Sequence, residues 1–239
     1  MLAGLDDYDL DHATDTSELV TKAQAFSDTL GCGNFAYILL RPPNGKSDKE
    51  EYFATNYPTE WVSRYTERNY KLYDPIAKLY SHNRLPFVWG NKGFIGRFKK
   101  SERAILHEAR AFNLIEGYAI PTAGPEGDFG GFLVCFNIAD ATFDAVMKQR
   151  AQLQLFAAQF HAAAIRIQFG ADTKIAPKLS PRELEVLKWA SSGYSSEATA
   201  DKLGLTSPTI NYHIANCCRK LGASNKIQAA VLAVRKNLI

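Results

Sequence analysis

The sequence predicts an α+β protein: an N-terminal α-β-α sandwich with an antiparallel sheet, followed by a small all-α unit of four helices. In the first part of the chain, apolar strand-like runs are interspersed with amphipathic helical segments, which is typical of a sheet with helices on its faces. After residue 178 only helical patterns occur, and glycines separate them. A length of 239 residues is comfortable for two domains.

Charge is distributed unevenly along the chain. Residues 174–239 hold ten basic and four acidic residues, a net charge of +6, whereas residues 1–173 hold 18 basic and 21 acidic residues, a net charge of −3. A basic unit behind a mildly acidic body suggests a polyanionic partner for the C-terminal unit alone. The four cysteines form no C-x-x-C pair, and the N-terminal residues lack the basic and apolar regions of a signal peptide, which favours a reducing cytoplasm.

The N-terminal elements follow from apolar spacing and from helix start and stop signals. Apolar residues recur at helical spacing before Gly31, namely at Leu19, Ala23, Phe26 and Leu30. Pro58 is expected at the first position of a second helix. Further helices are predicted at 74–82, from Ser101 to Phe112 and, as one long element, from Asp140 to Gly170. The predicted strands are 34–41, 51–56, 116–122 and 129–138.

Four short helices are predicted from residue 180 onward. Ser180 and Glu183 form a capping box, with Pro181 at the first helical position. Ser207 and Ser224 are expected to cap the third and fourth helices. The tight turn before the third helix gives the layout of a helix-turn-helix, whose second helix enters the major groove of DNA. The pattern alone leaves open a small helical bundle with a solvated basic face.

The third helix of this unit carries the side chains that would read DNA. Its inward-facing positions are Ile210, Ile214, Cys217 and Leu221. The remaining faces offer polar groups to base edges, at Thr209, Asn211, Tyr212, His213 and Asn216. Three cations are placed to meet phosphates, which position a protein on DNA without specifying sequence: Arg219, Lys220 and Lys226.

The run from Leu179 to Ala230 resembles the C-terminal DNA-binding domain of the LuxR family over nearly the whole unit. The resemblance is carried by "LSPRELEVLKW" at 179–189 and by "RKLGASNKIQA" at 219–229. It identifies the helix-turn-helix and implies a transcriptional regulator with double-stranded promoter DNA as partner.

An aromatic segment, residues 52–89, holds ten of the chain's 28 Phe, Trp and Tyr residues. Its spacing Tyr57-x3-Trp61-x3-Tyr65, followed by Asp74-Pro75 and later by Trp89, resembles the autoinducer-binding domain of quorum-sensing LuxR-type regulators. The stretch "GYAIP" at 117–121 fits that domain as well. Together the two resemblances cover almost the whole chain, except for about the first 15 residues.

The second resemblance implies a site for an N-acyl-homoserine lactone, a neutral amide with a lactone head and an apolar tail. It implies that Trp61 donates to the lactone carbonyl, that Asp74 accepts from the amide N–H and that Tyr57 donates to the acyl carbonyl. Tyr65 and Trp89 would form walls of the cavity. These groups suit the ligand because each polar atom taken out of water needs a partner.

The residues expected to contact the acyl chain are apolar. By the same resemblance, Val62, Ile76 and Leu133 occupy positions where some relatives place a polar group for a 3-oxo chain. An apolar wall offers no partner to an extra oxygen, which favours an unsubstituted, branched or aryl acyl chain. Gly117 matches a position kept small for close approach. Two polar residues that could still bind a 3-oxygen are Thr122 and Tyr118.

Each of these residues also has an ordinary structural explanation, since buried Tyr and Trp fill cores and an Asp before Pro often caps a helix. Two other functions remain alternatives. One is a dimeric DNA-binding regulator whose front domain senses no lactone, and the less favoured one is a lactone-processing enzyme. The sequence contains no G-x-S-x-G motif, no P-loop and no histidine pair at ligand spacing. We therefore expect no enzymatic activity, no metal and no cofactor besides the signal ligand.

The expected organisation is an autoinducer-binding and dimerisation domain over residues 1–169, a linker over 170–178 and a LuxR-type helix-turn-helix domain over 179–239. The long helix at 140–170 is a candidate dimer surface, which would bring two recognition helices to a palindromic site. The expected partners are an acyl-homoserine lactone, promoter DNA and a second copy of the chain. RNA polymerase is a further candidate, and no membrane is expected.

Overall fold

The computed structural model describes residues 8–43, 52–136, 142–170, 178–236 and 238–239. The chain divides into two compact units at residue 171. Most of the predicted linker and the ends of two predicted strands lie outside the described residues. Within the described ranges, no helix combines the length and apolar character that a membrane span requires.

Five strands form one antiparallel sheet in the first unit. They are β1 (Asn34–Arg41), β2 (Phe53–Thr55), β3 (Phe87–Trp89), β4 (Glu116–Ala123) and β5 (Phe129–Phe136). Their order across the sheet is β2-β1-β5-β4-β3. The short strand β3 was not predicted, because three residues are too few to show alternation. It is fixed by pairing with β4, where Trp89 lies opposite Gly117.

Seven α-helices accompany this sheet among the described residues, and the predicted α+β fold is confirmed. They are α1 (Thr16–Thr29), α2 (Thr59–Glu67), α3 (Pro75–His82), α4 (Lys92–Ile95), α5 (Lys100–Arg110), α6 (Thr142–Lys148) and α7 (Arg150–Phe169). Helix α1 ends before Gly31, whose φ of 71° is as predicted for a glycine stop. The prediction for Pro58 was off by one position, since it is the N-cap of α2.

The predicted long helix at 140–170 is in fact two helices, α6 and α7. The break is at Gln149, whose backbone leaves the helical region with φ −103° and ψ 11°. The Arg150 guanidinium donates to the carbonyl oxygen of Met147 at 2.8 Å. A side chain that satisfies a carbonyl in the last turn is a usual way to end a helix. Apolar spacing could not show this break, since both helices keep their apolar residues on the sheet side.

One face of the sheet packs against α1 and α7 and forms the main core. Alternate residues of the central strands point to this side, including Phe35 and Tyr37 of β1 and Phe132 of β5. Aromatic rings from α7, Phe156 and Phe160, lie 5.7 Å and 5.2 Å from the ring of Phe132. All these rings are fully buried, so large side chains fill this side of the sheet.

The opposite face of the sheet has much smaller side chains and is covered by α2, α3 and α5. Its residues, which we call the sheet floor, are Ala36, Ile38, Gly117, Ala119, Gly131, Leu133 and Cys135. Above this floor lie the aromatic residues Trp61, Tyr70, Tyr80 and Trp89. A floor of small residues under large rings leaves room for a cavity.

The part of the second unit that the structure describes contains four helices, as predicted. They are α8 (Pro181–Ser191), α9 (Ser196–Leu203), α10 (Ser207–Leu221) and α11 (Lys226–Arg235). The capping box of Ser180 and Glu183 is confirmed, with Pro181 at the first helical position. Two other N-caps were predicted wrongly. Thr206 caps α10 and Asn225 caps α11, each one residue from the serine that the sequence favoured, because both neighbours are themselves good capping residues.

Candidate functional site

A cavity lies between the sheet floor and the covering helices of the first unit. Its volume is about 90 Å³, on a scale where ~10–15 Å³ admits one water molecule. Eight of the nine predicted ligand-binding residues line it: Tyr57, Trp61, Val62, Tyr65, Asp74, Ile76, Trp89 and Leu133. These residues come from two helices, α2 and α3, from the strands β3 and β5 and from the segment after β2, and only the fold brings them together.

Asp74 is both a helix cap and a wall of the cavity. Its Oδ1 accepts the backbone N–H of Ile76 at 2.8 Å, which begins α3, and its Oδ2 accepts the hydroxyl of Tyr65 at 2.8 Å. Part of the residue reaches solvent, but the carboxylate itself is enclosed, and burial raises its pKa above the ordinary 3.8. The N–H of Ile76 and the Tyr65 hydroxyl oppose this rise. A carboxylate has more lone pairs than these two bonds use, so Oδ2 retains the capacity to accept from a ligand N–H.

Tyr57 presents its hydroxyl to the cavity beside the thiol of Cys135, with 3.1 Å between oxygen and sulfur. Burial raises the pKa of Tyr57 well above its ordinary value, and burial also raises the pKa of Cys135 to about 12. Both groups therefore keep their protons at neutral pH. If the thiol donates to the Tyr57 oxygen, the phenolic proton is free for an acceptor in the cavity.

Trp61 and Trp89 supply indole rings, and both residues are at most 5% exposed. The Trp89 indole nitrogen is buried and has no hydrogen-bond partner among the described residues. Gly117 does not line the cavity. A Cβ on Gly117 would overlap the carbonyl oxygen of Val134 and would lie 2.6 Å from that nitrogen, so the missing side chain makes room for both groups. The close approach at Gly117 is therefore that of the β5 backbone and of a tryptophan ring, both from neighbouring strands.

Several lining residues were missed in the sequence. The largest is Tyr80 of α3, and the others include Ala36, Ile38, Phe53, Thr55, Ile105, Leu106, Ala109 and Leu114. The helical spacing of Ile105, Ala109 and their neighbours marked a buried face but gave no sign that a cavity lay against it. Tyr80 carried a usable signal, because it lies six residues after Asp74 in the same aromatic segment.

Thr122 and Tyr118, the two residues that could have contacted a 3-oxygen, point to the main core rather than to the cavity. Thr122 belongs to a buried cluster with His161, Asp128 and Tyr37. His161 Nε2 lies 2.8 Å from Asp128 Oδ2, and its Nδ1 lies 2.7 Å from the Tyr37 hydroxyl and 3.2 Å from that of Thr122. We call these four residues the histidine cluster.

The histidine cluster contains the group types of a nucleophile, a base and an acid. Its members are nevertheless at most 6% exposed and lie on the sheet face opposite the cavity. Burial raises the pKa of Tyr37 well above its ordinary value, so its hydroxyl remains a donor. Since a carboxylate only accepts, the imidazole carries its proton on Nε2 when neutral and accepts at Nδ1. This arrangement joins α7 to the sheet and offers no approach to a substrate.

The predicted DNA-reading residues follow one another along α10. Asn211 and Tyr212 are exposed, whereas Thr209, His213 and Asn216 are half-buried. The inward side is formed by Ile210, Cys217 and Leu221, while Ile214 is only partly buried. With amide and phenol groups directed to solvent, this face is suited to base edges.

The three predicted phosphate contacts differ in what they already bind. Arg219 is exposed and donates to the side-chain oxygen of Asn216 at 2.9 Å. Lys220 donates to Glu183 at 2.7 Å, and Lys226 donates to the carbonyl oxygen of Tyr194 at 2.8 Å. Burial opposes ionisation of Glu183, yet Lys220 and the N–H of Ser180 hold its pKa below the ordinary 4.5. Of the three cations, Arg219 is therefore the one least committed to the unit's own packing.

Comparisons with known proteins agree with this geometry. Residues 15–164 match the family model of the autoinducer binding domain, and residues 177–233 match that of bacterial regulatory proteins of the luxR family. The chain is similar to the transcriptional activator protein VanR of Vibrio anguillarum, with 29% identity over 92% of this chain and 90% of VanR.

Two solved structures share the fold. SdiA of Escherichia coli matches with a TM-score of 0.65 and 23% identity, over 96% of this chain and 94% of SdiA. CepR2 of Burkholderia cenocepacia matches with a TM-score of 0.56 and 22% identity, over 68% of this chain and 94% of the CepR2 chain. The chain therefore belongs to the LuxR family of bacterial transcriptional regulators, which are not enzymes, and it carries an autoinducer-binding domain in front of a LuxR-type DNA-binding domain.

Proposed function

We propose that this protein binds an N-acyl-homoserine lactone in the cavity of its first unit and, as a cytoplasmic dimer, binds promoter DNA through α10 to control quorum-sensing genes. The observation that carries the proposal is a polar set in a largely apolar cavity: the Asp74 carboxylate, the Tyr57 hydroxyl and the Trp61 indole. An amide N–H and two carbonyls need one acceptor and two donors, and these three residues supply them.

The family supports the same ligand class. CepR2 is described as an N-acylhomoserine lactone dependent transcription factor of the LuxR family. The wall residues Val62, Ile76 and Leu133 offer no hydrogen bond to a 3-oxygen, and Thr122 and Tyr118 face the main core. We therefore propose an unsubstituted, branched or aryl acyl chain.

We further propose the division into residues 1–169 for ligand binding and dimerisation, 170–178 as linker and 179–239 for DNA binding. Helix α7 is the proposed dimer surface. Its inner side packs on the sheet, while Leu155 on the same helix remains 53% exposed. Two copies joined there would present two α10 helices, as a palindromic operator requires.

Thermal melting against a panel of acyl-homoserine lactones tests the ligand. The panel spans straight, branched, aryl and 3-oxo chains. We expect one class to raise the melting temperature by about 5–10 °C when present at about a hundred times its dissociation constant, because a ligand that binds only the folded state stabilises it by mass action. A 3-oxo ligand that binds at least about tenfold more tightly than its unsubstituted twin would contradict the proposed acyl class.

The same experiment separates the sensor from its rivals. A well-folded protein that no member stabilises would be a DNA-binding regulator whose front domain senses no lactone. Recovery of hydrolysed lactone after incubation would instead indicate a processing enzyme. Trp61→Phe serves as the matched variant, because it keeps an aromatic ring and removes only the indole donor and part of the ring.

DNA binding is tested with a duplex selected from a random pool by the ligand-saturated protein. We expect Arg219→Ala to weaken binding and to reduce the slope of log affinity against log salt by about 0.9, the value for one lost phosphate contact. Lys100→Ala is the control, since it removes one exposed positive charge from α5 in the first unit. Equal salt slopes for the wild type and Arg219→Ala would show that Arg219 contacts no phosphate.

A further inference from the structure

Tyr80 separates the cavity from a row of aromatic rings that the cavity does not reach. One side of its ring lines the cavity, and on another side its centroid lies 5.8 Å from that of Phe87. Phe87 in turn stacks on Phe94 at 6.1 Å, and Phe94 contacts Phe98 at 4.9 Å. None of these three phenylalanines lines the cavity. The space on the far side of Tyr80 is thus apolar and filled.

The position of the Tyr80 ring depends on a glycine of the sheet floor. A methyl group built on Gly131 would overlap the ring carbons at its hydroxyl end. The hydroxyl itself lies 3.5 Å from the carbonyl oxygen of Phe132, at the upper limit of a hydrogen bond. The ring is therefore held mainly by the shape of the floor beneath it, and Tyr80 is only 3% exposed.

We propose that Tyr80, seated against Gly131, limits the size of the acyl group and makes this protein a receptor for short or branched acyl chains. The proposal rests on the proposed lactone function. The cavity volume of about 90 Å³ corresponds to roughly six to nine water molecules. We expect that space to admit a lactone head with a compact acyl group, whereas a longer chain would have to displace the Tyr80 ring.

Truncation of Tyr80 and enlargement of Gly131 should shift the preferred acyl length in opposite directions. Tyr80→Ala opens the cavity toward Phe87, and each methylene then buried adds about a fourfold gain in affinity. We expect the affinity for dodecanoyl-homoserine lactone relative to the hexanoyl compound to rise at least about tenfold. Gly131→Ala pushes the ring into the cavity, and we expect it to lower the affinity for the octanoyl compound relative to the butanoyl compound by about fourfold or more.

The measurement is the dissociation constant of the full-length wild type and each variant for the straight-chain butanoyl, hexanoyl, octanoyl and dodecanoyl compounds and for an isovaleryl one. If Tyr80→Ala does not fold, Tyr80→Leu opens part of the same space, and Gly131→Ala tests the same boundary from the other side. Dodecanoyl-to-hexanoyl and octanoyl-to-butanoyl affinity ratios that equal those of the wild type in all these variants would overturn the proposal alone. The same ratio changes in Tyr80→Phe would also overturn it, since the hydroxyl rather than the ring would then set the preference. A wild type that binds no member would overturn the proposed function and this inference together.

Discussion

Replacing Asp74 with asparagine should weaken lactone binding by about 10- to 100-fold, since a hydrogen bond to a charged acceptor contributes about 1.5–3 kcal/mol. Asparagine caps a helix as well as aspartate does, so its side-chain oxygen keeps the bond to the Ile76 N–H. Its NH₂ group then takes the place of the oxygen that faces Tyr65 and the ligand. A donor therefore faces the donor N–H of the ligand, and the hydrogen bond is lost. Titration calorimetry with the ligand that stabilises the wild type measures the loss.

The same variant should remove a pH dependence. Burial raises the pKa of Asp74, so the folded, empty protein holds a proton more readily than the unfolded chain, and its contribution to stability falls as pH rises from 3.8 through the raised pKa. A ligand N–H lowers that pKa again, so binding releases a proton. Affinity should therefore increase with pH across this window in the wild type and stay level in Asp74→Asn.

Two outcomes would contradict this role of Asp74. If Asp74→Asn bound the ligand as tightly as the wild type, the residue would be a helix cap and nothing more. If the ligand-free variant melted far below the wild type, the lost affinity would reflect a damaged α3. Asp74→Ala distinguishes the two effects, because it removes the cap as well as the acceptor and should lower the ligand-free melting temperature further.

The second large effect is expected in the histidine cluster. His161→Leu should lower the free energy of unfolding by about 3–5 kcal/mol, because removal of one partner of a buried polar pair leaves the other poorly compensated. The wild-type imidazole bridges Asp128 on one side and the Tyr37 hydroxyl on the other, between α7 and the sheet. Urea unfolding at a fixed ligand concentration, monitored by the first unit's tryptophans, measures the change.

A paired substitution is the control for this prediction. Adding Asp128→Asn to His161→Leu replaces the buried carboxylate that had faced the imidazole with a neutral amide, and it should restore a substantial part of the stability. If His161→Leu alone cost less than about 1 kcal/mol, the cluster would not be what fixes α7 to the sheet. The cluster lies on the sheet face opposite the cavity, so the ligand preference of the variant should follow that of the wild type.

The elements with strong local signals were predicted well. Helix α1 and strand β1 follow from apolar spacing, from Gly31 and from a continuous apolar run, and α8 follows from its capping box. Errors arose where local signals were balanced or too short. Serines and their neighbours compete as caps of α10 and α11, and β3 exists because it pairs with β4 rather than because its three residues favour a strand.

The cavity was predictable only through the spaced polar residues of the aromatic segment. Tyr57, Trp61 and Asp74 lie within 18 residues of one another, so their pattern is visible in the chain. Cys135 meets Tyr57 across 78 residues, and His161 meets Tyr37 across 124. Pairs so distant in sequence leave no local periodicity, and neither contact could be inferred before the strands were aligned.

The alternation of the central strands has a consequence for how this protein tolerates genetic change. Neighbouring residues of β5 serve different tasks: Phe132 and Val134 belong to the main core, and Gly131, Leu133 and Cys135 belong to the sheet floor on the cavity side. Substitutions at the main-core positions would destabilise the fold, whereas those at the floor positions would, under the proposed function, change the ligand preference. Evolution could therefore change the ligand preference through mutations in alternate codons of β5, while the intervening codons preserve the fold.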